Sequence, residues 1–140
     1  TFQQRLRPLS AHIPTSAQKQ WQIAEAQIQT IHQMCQRIAR QESLFLADVI
    51  ETLHTVLALA KQLAHACEVT NRVQTPQYQA RAQQQLTNSQ TRLKQTCDQL
   101  QKLHDQLAVV GLEQAQSSAP DIADRLQFIV AANENVIESS

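Results

Sequence analysis

The residues of this chain that could carry chemistry are five histidines and three cysteines. If the chain reverses near residues 42 and 73, then His32, Cys35, His54 and Cys97 lie at similar heights in neighbouring helices, and these residue types suit a tetrahedral zinc site. Helical periodicity argues against convergence, because Cys35 lies on an apolar face whereas His54 points about 100° away from its own. We therefore treat the four as weak metal candidates and predict no metal, cofactor or catalytic residue.

Glu51 and His54 have the Glu-x-x-His spacing of di-iron carboxylate bundles. Such a centre needs a second motif of this kind, but Gln stands three residues before His32, His65 and His104. Neutral amides are poor ligands for ferric iron, so we do not expect a di-iron centre.

Cys97 is the thiol most open to partial exposure, and Lys94 lies one turn before it. A neighbouring ammonium group lowers a thiol pKa, which leaves a reactive Cys97 as a minor alternative. The only glycine, Gly111, cannot build a phosphate-binding loop, and no Ser or Cys stands in a nucleophile motif. The sequence therefore predicts a protein that is not an enzyme.

Residues 45–57, FLADVIETLHTVL, resemble the phosphoacceptor helix of sensor histidine kinases. Glu51 stands where that family has its phosphorylated histidine, and Val56 stands where it usually has proline. The resemblance therefore does not imply phosphotransfer. It leaves only the dimerisation helix of a signalling protein as an implication.

Long amphipathic helices must position these side chains, because leucine recurs every seventh residue from Leu86 to Leu107 and glycine occurs once. We predict an all-α, antiparallel up-and-down four-helix bundle. Its helices should span about 16–41, 44–71, 76–110 and 119–138. Pro8 and Pro14 predict an extended N-terminal arm over residues 1–15, before a single domain of residues 16–140.

Heptad spacing also predicts which residues form the core. In the first helix they are Ala17, Trp21, Ala24, Ile28, Ile31, Cys35 and Ile38. In the second they are Leu46, Val49, Leu53, Val56, Ala60, Leu63 and Cys67, widened by Ile50, Leu57 and Ala64. In the third they are Ala82, Leu86, Ser89, Leu93, Thr96, Leu100, Leu103, Leu107 and Val110. In the fourth they are Ile122, Leu126, Ile129, Val130, Asn133 and Ile137.

The helix boundaries differ in how clearly they are marked. A tight turn at residues 41–43 would use Ser43 as N-cap, although no Gly or Pro marks it, and one continuous rod is the alternative. Thr75 and Pro76 predict the start of the third helix, and Gly111 its left-handed C-terminal cap. A polar loop and a capping box at residues 118–121 should follow.

Composition restricts the function classes. The formal charge is zero, but residues 1–43 carry five basic and two acidic side chains, whereas residues 111–140 carry one basic and five acidic ones. A nucleic-acid binder usually has a concentrated basic face, so we expect none here. Three cysteines favour free thiols and a cytoplasmic setting, and no apolar run approaches the ~18 residues of a membrane span. The absent initiator Met is compatible with a processed chain or a domain of a longer protein.

These patterns predict a non-enzymatic protein–protein interaction or scaffolding module. Its 25 glutamines would coat a polar face beside an apolar groove. The expected contact regions are the exposed parts of the helix at 76–110, the N-terminal arm and the acidic helix at 119–138. The alternatives are a sensory or signal-relay domain of a larger receptor, which pairs with itself through its long helices, and a bundle that binds metal or tetrapyrrole through histidines. Homodimerisation is compatible with the predicted interaction module and with both alternatives.

Overall fold

Five α-helices make up the chain in a computed structural model, which describes residues 1–117 and 119–139, and the side chains of 1–109 and 120–139. They are α1 (Phe2–Ser10), α2 (Gln18–Gln41), α3 (Leu46–Arg72), α4 (Pro76–Ser117) and α5 (Ala119–Glu138). Single 3₁₀ turns, Thr15–Ala17 and Ser43–Phe45, precede α2 and α3. No strand occurs in this described part of the chain, so the prediction of an all-helical protein is confirmed.

The pair α3 and α4 forms the centre of the molecule. These helices pack against each other, each also contacts α2 and α5, and α1 packs on α3. Along α4 and α5, Arg92 bonds Asn133 and Gln106 bonds Arg125, so the two helices run in opposite directions. Helices α3 and α4 therefore each contact three or more other helices.

The core follows the heptad positions of α2 and α4. Ala17, in the 3₁₀ turn before α2, and the six predicted positions of α2 are buried, as are those of α4 from Ala82 to Leu107. The side chain of Val110 lies outside the described part. The leucine repeat thus packs inside the chain's own core instead of forming an exposed zipper. On α5, Ile122, Leu126, Ile129, Val130 and Asn133 are buried, and Ile137 packs partly buried against them.

The turn between α2 and α3 falls where it was predicted. Helix α2 ends at Gln41, and Glu42 has φ −148° and ψ 110°, an extended conformation that any residue adopts and that needs no glycine. The Glu42 carboxylate, instead of the expected Ser43 hydroxyl, accepts a hydrogen bond from the Leu44 amide at 3.4 Å. The following 3₁₀ turn buries Phe45. A continuous rod through residues 41–43 is therefore wrong.

The N-terminal segment is helical, so the extended arm predicted for residues 1–15 is wrong over residues 2–10. Thr1 and Gln4 form a capping box, and Pro8 lies inside the helix. An interior proline costs about 3 kcal/mol, whereas burying one large apolar side chain contributes roughly 1.5–3 kcal/mol. Leu6 is buried, and Phe2 and Leu9 pack partly buried against the core, so packing offsets the proline.

Helix α4 continues through Gly111 to Ser117, so the predicted cap at Gly111 and the polar loop after it are wrong. Glycine inside a helix costs only about 1 kcal/mol relative to alanine. Residues 112–116, LEQAQ, are all good helix formers. Ser118, the expected N-cap of α5, lies outside the described residues.

One stretch of the described chain, Ser43–Arg72, is long and apolar enough to cross a membrane by length and composition, with a mean hydropathy of 1.5. This finding differs from the expectation that no apolar run approaches the ~18 residues of a membrane span. However, 44% of the 18-residue window that has this hydropathy is buried inside the chain, and α3 contacts four other helices. Central helices of globular domains have the same composition, so length and hydropathy do not by themselves indicate a membrane span.

Candidate interaction surface

The four weak metal candidates lie in different surroundings. Cys35 is buried, Cys97 is half-buried and His54 is exposed. His32 stacks on the ring of Phe2 with centroids 4.7 Å apart. In the part of the chain that the structure describes, no group of three or more His, Cys, Asp or Glu side chains is arranged to hold a metal ion. The structure therefore does not bring these candidates together.

The thiols are less reactive than the sequence suggested for Cys97. Burial raises its pKa, and the neighbouring Asp98 carboxylate raises it further, so the lowering expected from Lys94 is wrong. Burial also raises the pKa of Cys67, and that of Cys35 to about 12. A thiol that stays protonated is a poor nucleophile, and all three cysteines are free.

A buried polar cluster joins the three helices α3, α4 and α5 around Asn133. Its Oδ1 atom accepts hydrogen bonds from Arg92 Nε at 2.5 Å and from Thr96 Oγ1 at 2.9 Å. Its Nδ2 atom donates to Thr55 Oγ1 at 3.0 Å. Asn133 thus bonds side chains of both neighbouring helices, α3 and α4. The sequence prediction placed this residue on the inner face of its helix but could not identify its partners.

Arg92 is the charged member of that cluster and is only 6% exposed. Its Nη1 and Nη2 atoms donate to the side-chain oxygens of Gln95 at 3.1 Å and Gln99 at 2.6 Å. Burial lowers the pKa of the guanidinium. Among the described residues, its three side-chain acceptors are neutral amides, so hydrogen bonds and not an ion pair hold the group there.

A groove between α1 and α3 is a largely apolar concave surface in the described region. We call it the α1–α3 groove; its cavity measures about 270 Å³, and it is lined by Thr1, Phe2, Arg5, Ile50, Leu53, His54 and Leu57. Four of these seven side chains are apolar, and they come from two helices. Surfaces of this kind bind the apolar face of another helix.

Two residues extend the apolar surface beyond what the core needs. Leu46 and Ile50 were predicted to lie in the core, but they are 49% and 48% exposed. Leu46, Ile50, Leu53 and Leu57 follow steps of four, three and four, so they form a second stripe beside the buried positions of α3. The sequence already indicated a second apolar stripe, because α3 has more apolar positions than one heptad seam uses. Periodicity could not say which stripe faces the core.

Helix α1 forms one wall of the groove and is held against α2 by polar contacts. The amides of Gln3 and Gln29 bond each other reciprocally, at 2.6 and 2.9 Å. Gln3 Nε2 also lies 3.2 Å from His32 Nδ1. Together with the stacked Phe2 and His32 rings, these contacts fix the wall in place. The wall belongs to the segment that the sequence assigned to an extended arm.

Two further grooves lie elsewhere, one smaller than the α1–α3 groove and one of similar volume, about 280 Å³. A groove between α4 and α5, of about 150 Å³, includes Phe128, which is 65% exposed. A third, between α2 and α4, has Ile23 and Ala24 among mainly polar and charged side chains. Each offers a single exposed large apolar residue, whereas Leu46 and Ile50 on α3 are two consecutive ones at helical spacing.

The comparisons with known proteins add no homologue. No protein-family model, curated protein or solved structure matches this chain.

Proposed function

We propose that this chain is a non-enzymatic helical-bundle module, antiparallel and up-and-down in its four long helices, that binds another protein through the α1–α3 groove. The observation that carries the proposal is the stripe of Leu46, Ile50, Leu53 and Leu57, which begins exposed and runs into the groove walled by α1. Isolated exposed apolar residues need no explanation, but a contiguous stripe beside a groove is typical of a binding surface.

Affinity capture from the native source with the intact chain tests this function. We would compare the wild-type chain with Ile50→Asp, which puts a charge into the groove at a half-exposed position. Val109→Asp, at an 85% exposed position on α4, is the matched control. We expect partners that co-purify with the wild type and the control but not with Ile50→Asp. Circular dichroism would verify that both variants are folded.

The same captured proteins with all three chains would contradict the proposal. A self-pairing signal-relay domain is the alternative of another class. Such a domain could not pair through the leucine repeat of α4, because those leucines are buried in the chain's own core. Sedimentation of the wild-type chain tests this alternative, since a domain that relays a signal by self-pairing must sediment as two copies, and a monomer would exclude it.

A further inference from the structure

The dimensions of the α1–α3 groove specify the form of its ligand. Along α3 the lining residues run from Ile50 to Leu57, a rise of about 10 Å over seven residues at 1.5 Å per residue. That length equals about two turns of a second helix, which would present anchors at i, i+3 or i+4, and i+7. Phe2 on α1 closes one side, so the surface is concave instead of flat. Leu57 is buried at the floor, while Ile50 stays half-exposed at the rim.

The charges around the α1–α3 groove indicate the sign of the charge on its ligand. No carboxylate lines it. Arg5, on the α1 wall, makes no ion pair or hydrogen bond through its side chain within the described structure, and its guanidinium is exposed. The acidic residues Asp48 and Glu51 of α3 accept hydrogen bonds from Gln127 of α5 at 2.5 and 3.0 Å, so they lie on another side of the helix. The cation at the rim therefore lacks a local counter-charge.

We propose that the α1–α3 groove binds an acidic amphipathic helix of a partner protein, with two or three large apolar residues on one face and a Glu or Asp opposite Arg5. This inference rests on the proposed function and specifies its ligand. A concave surface with a single arginine on its wall suits a helix better than a membrane. Anionic membranes are bound by several basic residues acting together.

The test uses the full chain and two fluorescently labelled synthetic peptides of about five turns, a length at which helix formation is favourable. Both carry leucine at i, i+4, i+7 and i+11; one has glutamate and the other lysine at the flanking positions. In fluorescence anisotropy at low salt, we expect the glutamate peptide to bind at least tenfold more tightly. Raising the salt concentration should reduce this difference, because exposed ion pairs are screened.

Variants assign the binding to this groove. Arg5→Glu should remove or reverse the preference for the acidic peptide, because position 5 is exposed and its charge alone changes. Ile50→Asp should abolish binding of both peptides. Phe128→Asp is the matched control, since it puts the same charge at an exposed apolar residue of the α4–α5 groove, and it should leave the affinity unchanged.

Several results would overturn the inference. They are equal affinity for the two peptides, no binding of either, or equal loss of binding with Phe128→Asp. Binding of the chain to vesicles of anionic lipid, with no peptide binding, would point to a membrane instead. A dimer that Ile50→Asp dissociates would make a second copy the occupant. If captured partners are lost with Ile50→Asp but the peptides are not discriminated, the proposed function stands and only the ligand chemistry is wrong.

Discussion

At the scale of single residues, the unusual feature is a buried arginine whose acceptors are all neutral. Arg92, Thr96, Asn133 and Thr55 form one connected set of hydrogen bonds across three helices. A satisfied buried network can define the relative register of helices. Stability then depends strongly on each side chain of the network, because removing one leaves the hydrogen-bonding group of another buried and without a partner.

Asn133→Ala tests this dependence. The variant removes the acceptor of Arg92 Nε and the donor to Thr55 while opening only a small cavity. We expect a loss of about 3 kcal/mol in the free energy of unfolding, measured by urea denaturation. Asn135→Ala, at an exposed position two residues away, should cost less than about 0.5 kcal/mol. Equal effects of the two substitutions would show that the network contributes little.

His32 gives the stability a predictable dependence on pH. Burial lowers the pKa of its ring in the folded chain below the ordinary 6.5. As the pH falls through 6.5, the unfolded chain therefore binds the proton first, and stability decreases until the folded pKa is reached. We expect His32→Gln to flatten this decrease between pH 7 and the folded pKa, as followed by denaturation at a series of pH values. His65→Gln, at an exposed position, is the control; a wild-type profile for His32→Gln would contradict the assignment.

At the scale of elements, α1 is the helix that the sequence did not predict. It packs on α3, buries Leu6 in the core and carries the wall of the groove. Its internal proline makes it a weak helix by propensity, so it depends on tertiary contacts to stay folded.

Leu6→Ala should therefore undock α1. Truncating a buried leucine costs about 2–5 kcal/mol, and here the loss should appear as faster amide exchange of residues 2–10 before the rest of the chain opens. Leu44→Ala, at a 64% exposed leucine, makes the same chemical change on the surface and should change exchange little. Protection of residues 2–10 that survives Leu6→Ala would contradict this view of α1.

At the scale of the whole molecule, stability should be highest along the axis that α3 and α4 form. Each of these helices contacts three or more neighbours, whereas α1 packs mainly on α3. Amides open locally with free energies that follow how many packed contacts must break. We expect the slowest hydrogen exchange at residues 56–63 and 86–100, and the fastest helical exchange in α1. Uniform protection across all five helices would contradict a central α3–α4 pair.

Much of the fold follows from local periodicity. The buried positions of α2 and α4 could be predicted because apolar residues that recur with the helical period of 3.6 share the face that packs against the core. The reversal at Glu42 could be predicted from the point where this spacing is interrupted. The leucines that recur from Leu86 to Leu107 have this spacing, and all of them are buried. The helical character of the chain is thus a property of its residue order.

The candidate site depended on information that periodicity does not contain. Ile50 and Leu63 are both apolar residues of α3, yet one is half-exposed and the other fully buried. Which stripe of a helix is covered depends on where its neighbours pack, and Asn133 likewise finds Thr55 only because distant segments meet. Residue order by itself determined that the chain is helical and which faces of α2 to α5 are apolar. The tertiary structure decided that α1 folds as a helix and which apolar face stays open, because both depend on contacts between residues far apart in sequence.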